Sequence, residues 1–158
     1  MSEAYAYSTI PAKILLPIDF SPSSHLALEQ ATVLAQHFHA EVILVNVIAE
    51  DAGLEKAKKE AESHFAVSLA GLASKGIKAS SSVEIGNDIA GSIQDVIERE
   101  HIDMLVISTH GLTGWHPLVF GSIAEKVVKL VQCPLLLLRS AKPDASGKVP
   151  AGRFTKWW

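Results

Sequence analysis

The stretch AKILLPIDFSPSSHLALEQATVLAQHFHAEVILVNVI, residues 12–48, carries the pattern that decides the fold. Its two ends, 12–19 and 41–48, are short, mostly apolar runs, typical of strands buried on both faces of a parallel sheet. Between them, Ser21 is placed to cap a helix that begins at Pro22, where a missing N–H costs nothing. The residues that share one face of this helix at helical spacing are Ala27, Ala31, Leu34, Ala35 and Phe38. The stretch therefore predicts a strand–helix–strand unit.

The rest of the chain continues the alternation. The predicted helices are 53–74 (ended by Gly76), 87–101 (capped by Asn87 or Asp88) and 122–132, and the predicted strands are 78–86, 104–108 and 134–139. The serine-rich strand 78–86 suits a sheet edge. Strict alternation predicts an α/β fold, a doubly wound, Rossmann-like parallel sheet of five strands with four helices, ordered 3-2-1-4-5.

Composition divides the chain and excludes several classes of function. We expect an N-terminal extension over 1–11, one domain over 12–139 and a flexible tail over 140–158, whose aromatic end FTKWW either docks on a surface or stays solvated.

A net charge of −3 without a basic stripe argues against nucleic-acid binding. No secretory signal pattern is visible in the first residues, and no apolar run approaches the ~20 residues of a membrane span, so we expect a cytoplasmic protein without membrane insertion. The only cysteine, Cys133, is expected to be a buried thiol, and the histidines lack zinc-ligand spacing.

The predicted ligand position lies where the winding of the sheet reverses, outside the carboxyl ends of strands 1 and 4. Asp19 follows strand 1, and the segment STHGLTGWHPLVFGSIAEK, residues 108–126, follows strand 4. Backbone amides of such a loop and of the following helix can hold a phosphate chain without any basic side chain. The candidate phosphate contacts are Gly111, Gly114, Gly121 and Ser122, with the nearby His110 and His116 as candidate phosphate donors or acid–base groups.

Each of these residues also has a purely structural interpretation. Ser122 and Glu125 have the spacing of a capping box, and the glycines suit ordinary turns. Asp19 suits a turn or cap before Ser21, and a loop histidine such as His110 often bonds only to the backbone. Spacing alone leaves both interpretations open.

The segments KILLPIDFS and ALEQA, together with STHGLTG, GSIAEKVV and CPLLLLR, resemble the universal stress protein family over residues 12–139. The ATP-binding branch of that family carries G-x2-G-x9-G-[ST], which falls here on Ser108, Gly111, Gly121 and Ser122. The resemblance implies that Asp19, beside Pro17 and Ile18, meets the ribose and phosphates. It also implies that the Val47 backbone meets adenine and that Ile123 contributes an amide. The implied ligand is ATP, or AMP or ADP, bound with or without Mg²⁺.

The first motif position is Ser108 instead of glycine, and two outcomes follow from that. If this position needs a positive φ, serine costs about 1 kcal/mol or more; if it only ends a strand, serine is harmless. The resemblance further implies a homodimer joined through the last strand, residues Leu135, Leu136, Leu137 and Leu138, and an edge so apolar is a liability unless it is paired.

The resemblance implies a nucleotide-dependent regulator of an unidentified partner, with at most slow ATP hydrolysis. Two rival functions remain open: a dimeric stress protein without a nucleotide, acting through protein contacts, and an adenylate-handling enzyme. The last is disfavoured because neither a dedicated lysine nor a nucleophile accompanies the loop.

Overall fold

Strands and helices alternate throughout the part of the chain that the computed structural model describes, residues 10–51, 53–109 and 122–139. The strands are β1 (Lys13–Pro17), β2 (Glu41–Ile48), β3 (Ala79–Ile85), β4 (Met104–Thr109) and β5 (Leu135–Arg139). The helices are α1 (Pro22–Phe38), α2 (Leu54–Ser74), α3 (Ile89–Glu100) and α4 (Ser122–Leu130). The predicted alternation is confirmed. The predicted extension up to residue 9 and the tail 140–158 lie outside the described residues.

The five strands form one parallel sheet in the order β3-β2-β1-β4-β5, as predicted. Helices α1 and α2 cover one face, where Phe65 and the alanines of α1 belong to the same buried cluster as Leu16. Helices α3 and α4 cover the other face around Leu15 and Ile93. Winding therefore reverses between β1 and β4, and β3 and β5 form the two edges of the described sheet.

Helix α1 begins as its sequence predicts. The Ser21 side chain accepts a hydrogen bond from the Ser24 amide at 3.4 Å, which satisfies one of the donors left open at a helix start. Ala27, Ala31 and Ala35 are buried. Because these side chains are small, α1 packs close to the central strand.

Several element boundaries differ from the prediction by one or two residues. Helix α4 ends at Leu130, two residues before Gln132. Strand β5 begins at Leu135, one residue later than predicted, although the Pro134 carbonyl already accepts from the Leu105 amide at 2.9 Å. Asp88 occupies the cap position of α3 without a side-chain cap hydrogen bond. These ends are set by packing and ladder bonds that a local pattern does not encode.

Cys133, in the α4–β5 connection, is a buried thiol as predicted. Burial raises its pKa to about 11. The thiolate is therefore scarce at neutral pH, and the side chain acts as a small apolar group.

The edge strand β3 is tied to α3 by an ion pair. Arg99 donates from Nη2 to Glu84 Oε1 at 2.6 Å and from Nη1 to Oε2 at 3.4 Å. Ser82 Oγ also donates to Glu84, at 3.0 Å. The hydrogen bond from Arg99 is the main reason why the pKa of Glu84 lies below its ordinary value of 4.5, and burial partly opposes it.

Replacing the arginine, Arg99→Gln, is expected to lower the free energy of unfolding at pH 7 by about 0.5–1 kcal/mol, because the pair is partly exposed. Because the pKa of Glu84 is lower in the folded protein than in the unfolded chain, its ion pair stabilises the fold fully at pH values above the unfolded pKa. That stabilisation is lost as pH falls through the folded pKa. The difference between wild type and variant should therefore shrink as pH falls below 4.5 and vanish once the Glu84 carboxyl is protonated in the folded protein. Urea unfolding followed by circular dichroism, at pH 7 and at a series of acidic pH values, measures it.

The control for this prediction is the same substitution in a Glu84→Gln background. Arg99 also contacts Glu100, at 3.3 Å, so an equal loss in both backgrounds would assign the effect to Glu100 and contradict the prediction.

Candidate functional site

The central strands β1 and β4 pair only at their amino ends. Their ladder consists of Ile14 with Met104 and Leu15 with Leu105, although β1 extends to Pro17 and β4 to Thr109. The carboxyl ends of the two strands are unpaired where the winding of the sheet reverses, and we call this place the crevice. This is where open α/β sheets bind ligands.

Pro17 explains part of this separation. On the other side of β1, the Ile18 amide donates to the Val45 carbonyl at 2.8 Å, while the Lys13 carbonyl accepts from the Asp103 amide of the β4 side at 3.0 Å. Backbone groups alternate sides along a strand, so Pro17, like Lys13, faces β4. Proline has no N–H, and the ladder toward β4 lacks a donor at this position.

The amino ends of the same strands are held together by Asp103, which the sequence analysis did not single out. Its Oδ2 accepts from the amides of Ala12, at 2.9 Å, and Lys13, at 2.8 Å. The strands are fixed at one end and separate at the other.

Asp19 follows β1 at the crevice, and its side chain is exposed. Its Oδ1 accepts from the Ser21 amide at 3.0 Å, so the predicted turn role is present. A carboxylate has about four acceptor positions, and this turn contact is compatible with a contact to a ligand hydroxyl or cation.

The residue after Asp19 has an uncommon backbone conformation. Phe20 has φ 63°, in the left-handed region that glycine favours. Its ring stacks on His64 with centroids 4.6 Å apart and meets Phe65 edge-on at 5.4 Å. Contacts with α2 thus hold the turn that presents Asp19.

Val47 and Ser108 take their predicted positions near the carboxyl ends of β2 and β4. Val47 is half-buried and pairs with Glu84 of β3. Ser108 lies within β4 in register with Leu138, and it is not among the described non-glycine residues with positive φ. Of the two outcomes considered for Ser108, the structure supports the harmless one, because regular strand backbone accepts serine.

The amino end of α4 supplies two of the predicted site residues. Ser122 and Ile123 form its first turn, and both are exposed. The capping-box interpretation requires Glu125 to turn back toward Ser122, whereas its Oε1 accepts from Lys129 one turn onward, at 2.7 Å. The first amides of this helix point toward the carboxyl edge of the sheet, since α4 runs antiparallel to the strands.

Four predicted site residues, His110, Gly111, Gly114 and Gly121, lie outside the described residues, as does His116. Their roles stay predictions. Among residues 10–51, 53–109 and 122–139 there is no group of three or more His, Cys, Asp or Glu side chains that could hold a metal ion. None of the helices in those ranges is long and apolar enough to cross a membrane.

Asn46 lies beside the candidate site and was not predicted from the sequence. Its Nδ2 donates to the Ile18 carbonyl at 2.8 Å, which joins the end of β2 to the residue before Asp19. The only signal for it in the sequence is a single amide inside the apolar run EVILVNVI.

Comparison with known proteins agrees with this architecture. The chain is 28% identical over 155 residues to universal stress protein MJ0531 of Methanocaldococcus jannaschii, a match that covers 84% of each chain. The solved structure of MJ0577 from the same organism superposes with a TM-score of 0.75 at 26% identity, covering 84% of this chain and 99% of that one. Both relatives match over nearly the whole domain predicted here.

A universal stress protein from Archaeoglobus fulgidus, solved in complex with dAMP, has the same fold, with a TM-score of 0.65 at 18% identity over 81% of this chain and 98% of that chain. The model of the universal stress protein family matches residues 12–139. With that match over most of its length, the chain belongs to the universal stress protein family.

Proposed function

We propose that this protein binds ATP, or the related AMP or ADP, in the crevice between β1 and β4 and acts in the cytoplasm as a nucleotide-dependent regulator in a stress response. The observation that carries the proposal is the placement of an exposed carboxylate, Asp19, where β1 and β4 separate. A relative solved with dAMP supports an adenine nucleotide as the ligand class.

The phosphates would lie at the amino end of α4. Open amides and the positive end of a helix dipole favour an anion there, and the exposed Ser122 adds a hydroxyl. The preceding loop, including Gly111, Gly114, Gly121 and His110, would supply further donors. This assignment explains how a chain with few basic residues near the motif can hold a triphosphate.

The sugar and a cation would compete for Asp19. A ribose hydroxyl can donate to a carboxylate oxygen, and Mg²⁺ prefers carboxylate and phosphate oxygens. Since no cluster of metal-ligating side chains is present among the described residues, Mg²⁺ would be carried mainly by the phosphates, with Asp19 as its protein ligand.

Asp19→Asn is expected to weaken ATP binding by about tenfold, equivalent to about 1.4 kcal/mol, because the neutral amide keeps the turn with Ser21 but loses the charged acceptor. Isothermal titration of nucleotide-free protein with ATP, with and without Mg²⁺, measures this change.

Asp95→Asn is the matched control, since it makes the same charge change on an exposed position of α3 and should leave the affinity unchanged. Equal affinity of wild type and Asp19→Asn would contradict the assignment of Asp19. No binding by the wild type at millimolar ATP would overturn the nucleotide proposal and leave the rival function, a dimeric stress protein that acts through protein contacts.

We also propose that two chains associate through β5. The Leu105 amide bonds to the Pro134 carbonyl, so Pro134 and Leu136 face β4, whereas the backbone groups of Leu135 and Leu137 face away from it. Within the described residues no strand pairs with that side. A second β5 would satisfy these groups and cover an apolar edge.

Leu137→Pro is expected to convert the dimer to monomers, raising the dissociation constant by about 100-fold or more, because it removes an outward N–H without removing a bond to β4. Sedimentation equilibrium measures the change. Leu137→Ala loses similar packing but keeps the N–H, and it should stay dimeric. Monomeric wild-type protein, or equal dissociation of both variants, would contradict pairing through this edge.

A further inference from the structure

The backbone of β2 alternates between its two neighbours in a way that fixes where Val47 points. The Val45 carbonyl accepts from the Ile18 amide at 2.8 Å, and the Glu41 amide donates to the Ala12 carbonyl at 2.8 Å. Odd-numbered residues of β2 therefore direct both main-chain groups toward β1. Val47 is the next odd-numbered residue, and the β1–β2 ladder ends at Pro17 with Val45.

At this end of the ladder a side chain takes the place of a backbone donor. In a continued parallel ladder, the Ile18 carbonyl would accept from the Val47 amide. Instead, Asn46 Nδ2 donates to that carbonyl at 2.8 Å. Among the described residues, the backbone hydrogen bonds between Ile18 and β2 stop at Val45.

As a result, the main chain of Val47 presents a hydrogen-bond donor and a hydrogen-bond acceptor side by side. The N–H and C=O of Val47 face the space beyond the end of β1, next to the crevice. The edge of adenine presents a ring-nitrogen acceptor beside an amino donor, which is complementary to such a pair. A half-buried amide in a strand whose other residues after Glu41 are apolar costs free energy unless it is hydrogen-bonded, and its contact with Ile18 offsets this cost.

We propose that Asn46 is a positioning residue for base recognition: by taking the place of the Val47 amide at the Ile18 carbonyl, its side chain keeps the main chain of Val47 directed at the adenine ring. This inference rests on the proposed nucleotide site. Without the amide, the Val47 N–H would pair with Ile18 and extend the β1–β2 ladder, closing the position of the base. Asn46 itself need not touch the ligand.

The test compares ATP with tripolyphosphate, which lacks the adenosine, by isothermal titration of the full chain. In the wild type, ATP should bind more tightly than tripolyphosphate. In Asn46→Leu, of similar size but without a donor, the ratio of the two dissociation constants should shrink by about tenfold, with tripolyphosphate affinity unchanged. Asn46→His should restore the ratio, since its Nδ1–H can lie where the amide nitrogen lies.

Each outcome separates this inference from the site itself. Equal weakening of ATP and tripolyphosphate, or an unchanged ratio, would show only a structural role and overturn the inference while leaving the nucleotide site intact. A wild type that binds neither ligand would overturn the proposed function. Asn46→Ala replaces Asn46→Leu if the latter does not fold, and Asn87→Ala, at an exposed asparagine, is the control that should change neither affinity.

Discussion

The separation of β1 from β4 is the constraint on which the rest of this molecule depends. Asp103 holds the amino ends of the two strands together, and the ladder ends after Leu15 and Leu105. The helices on either side of this point cover opposite faces of the sheet, which is the arrangement at which open α/β sheets bind ligands. A proline in the last position of β1 then removes a donor that would continue the ladder. The crevice is thus a consequence of topology and of one imino acid.

The chain that leaves β1 is fixed over several consecutive residues. Ile18 bonds to β2 through both its amide and its carbonyl, Phe20 is held between His64 and Phe65, and Ser21 caps α1. A left-handed φ at a bulky residue costs on the order of 1 kcal/mol or more, and it persists only where its surroundings determine it. Asp19 lies in the middle of this run, so its orientation is set by the core and by the start of a helix.

The sequence predicts those features that repeat along the chain. Alternating apolar runs and capped amphipathic helices were sufficient for the strand order, both edges and the position of Asp19 at the reversal of the sheet. They could not predict Asn46 or Asp103, because each side chain bonds to backbone groups of a distant segment, 28 and about 90 positions away. The backbone of Ser108 was also undecided in the sequence, since serine is compatible with a strand and, at a cost, with a positive φ.

A site that relies on main-chain groups tolerates changes in sequence that a site made of side chains would not. In the proposed site Val47 would contribute its backbone, and the direction of that backbone follows from the register of β2 against β1. A helix start leaves the amides of Ser122 and Ile123 without an intrahelical partner, whatever side chains these residues carry. Such a site requires the register of β2 against β1, unpaired carboxyl ends of β1 and β4, and the start of α4 beside them. This chain, which is 26% identical to a relative with the same fold, has a β1–β4 ladder that stops short of the carboxyl ends and a helix that begins at Ser122. Ser108, at a glycine position of the motif, is compatible with both. Asn46 is the exception, because there a side chain controls which backbone group is available.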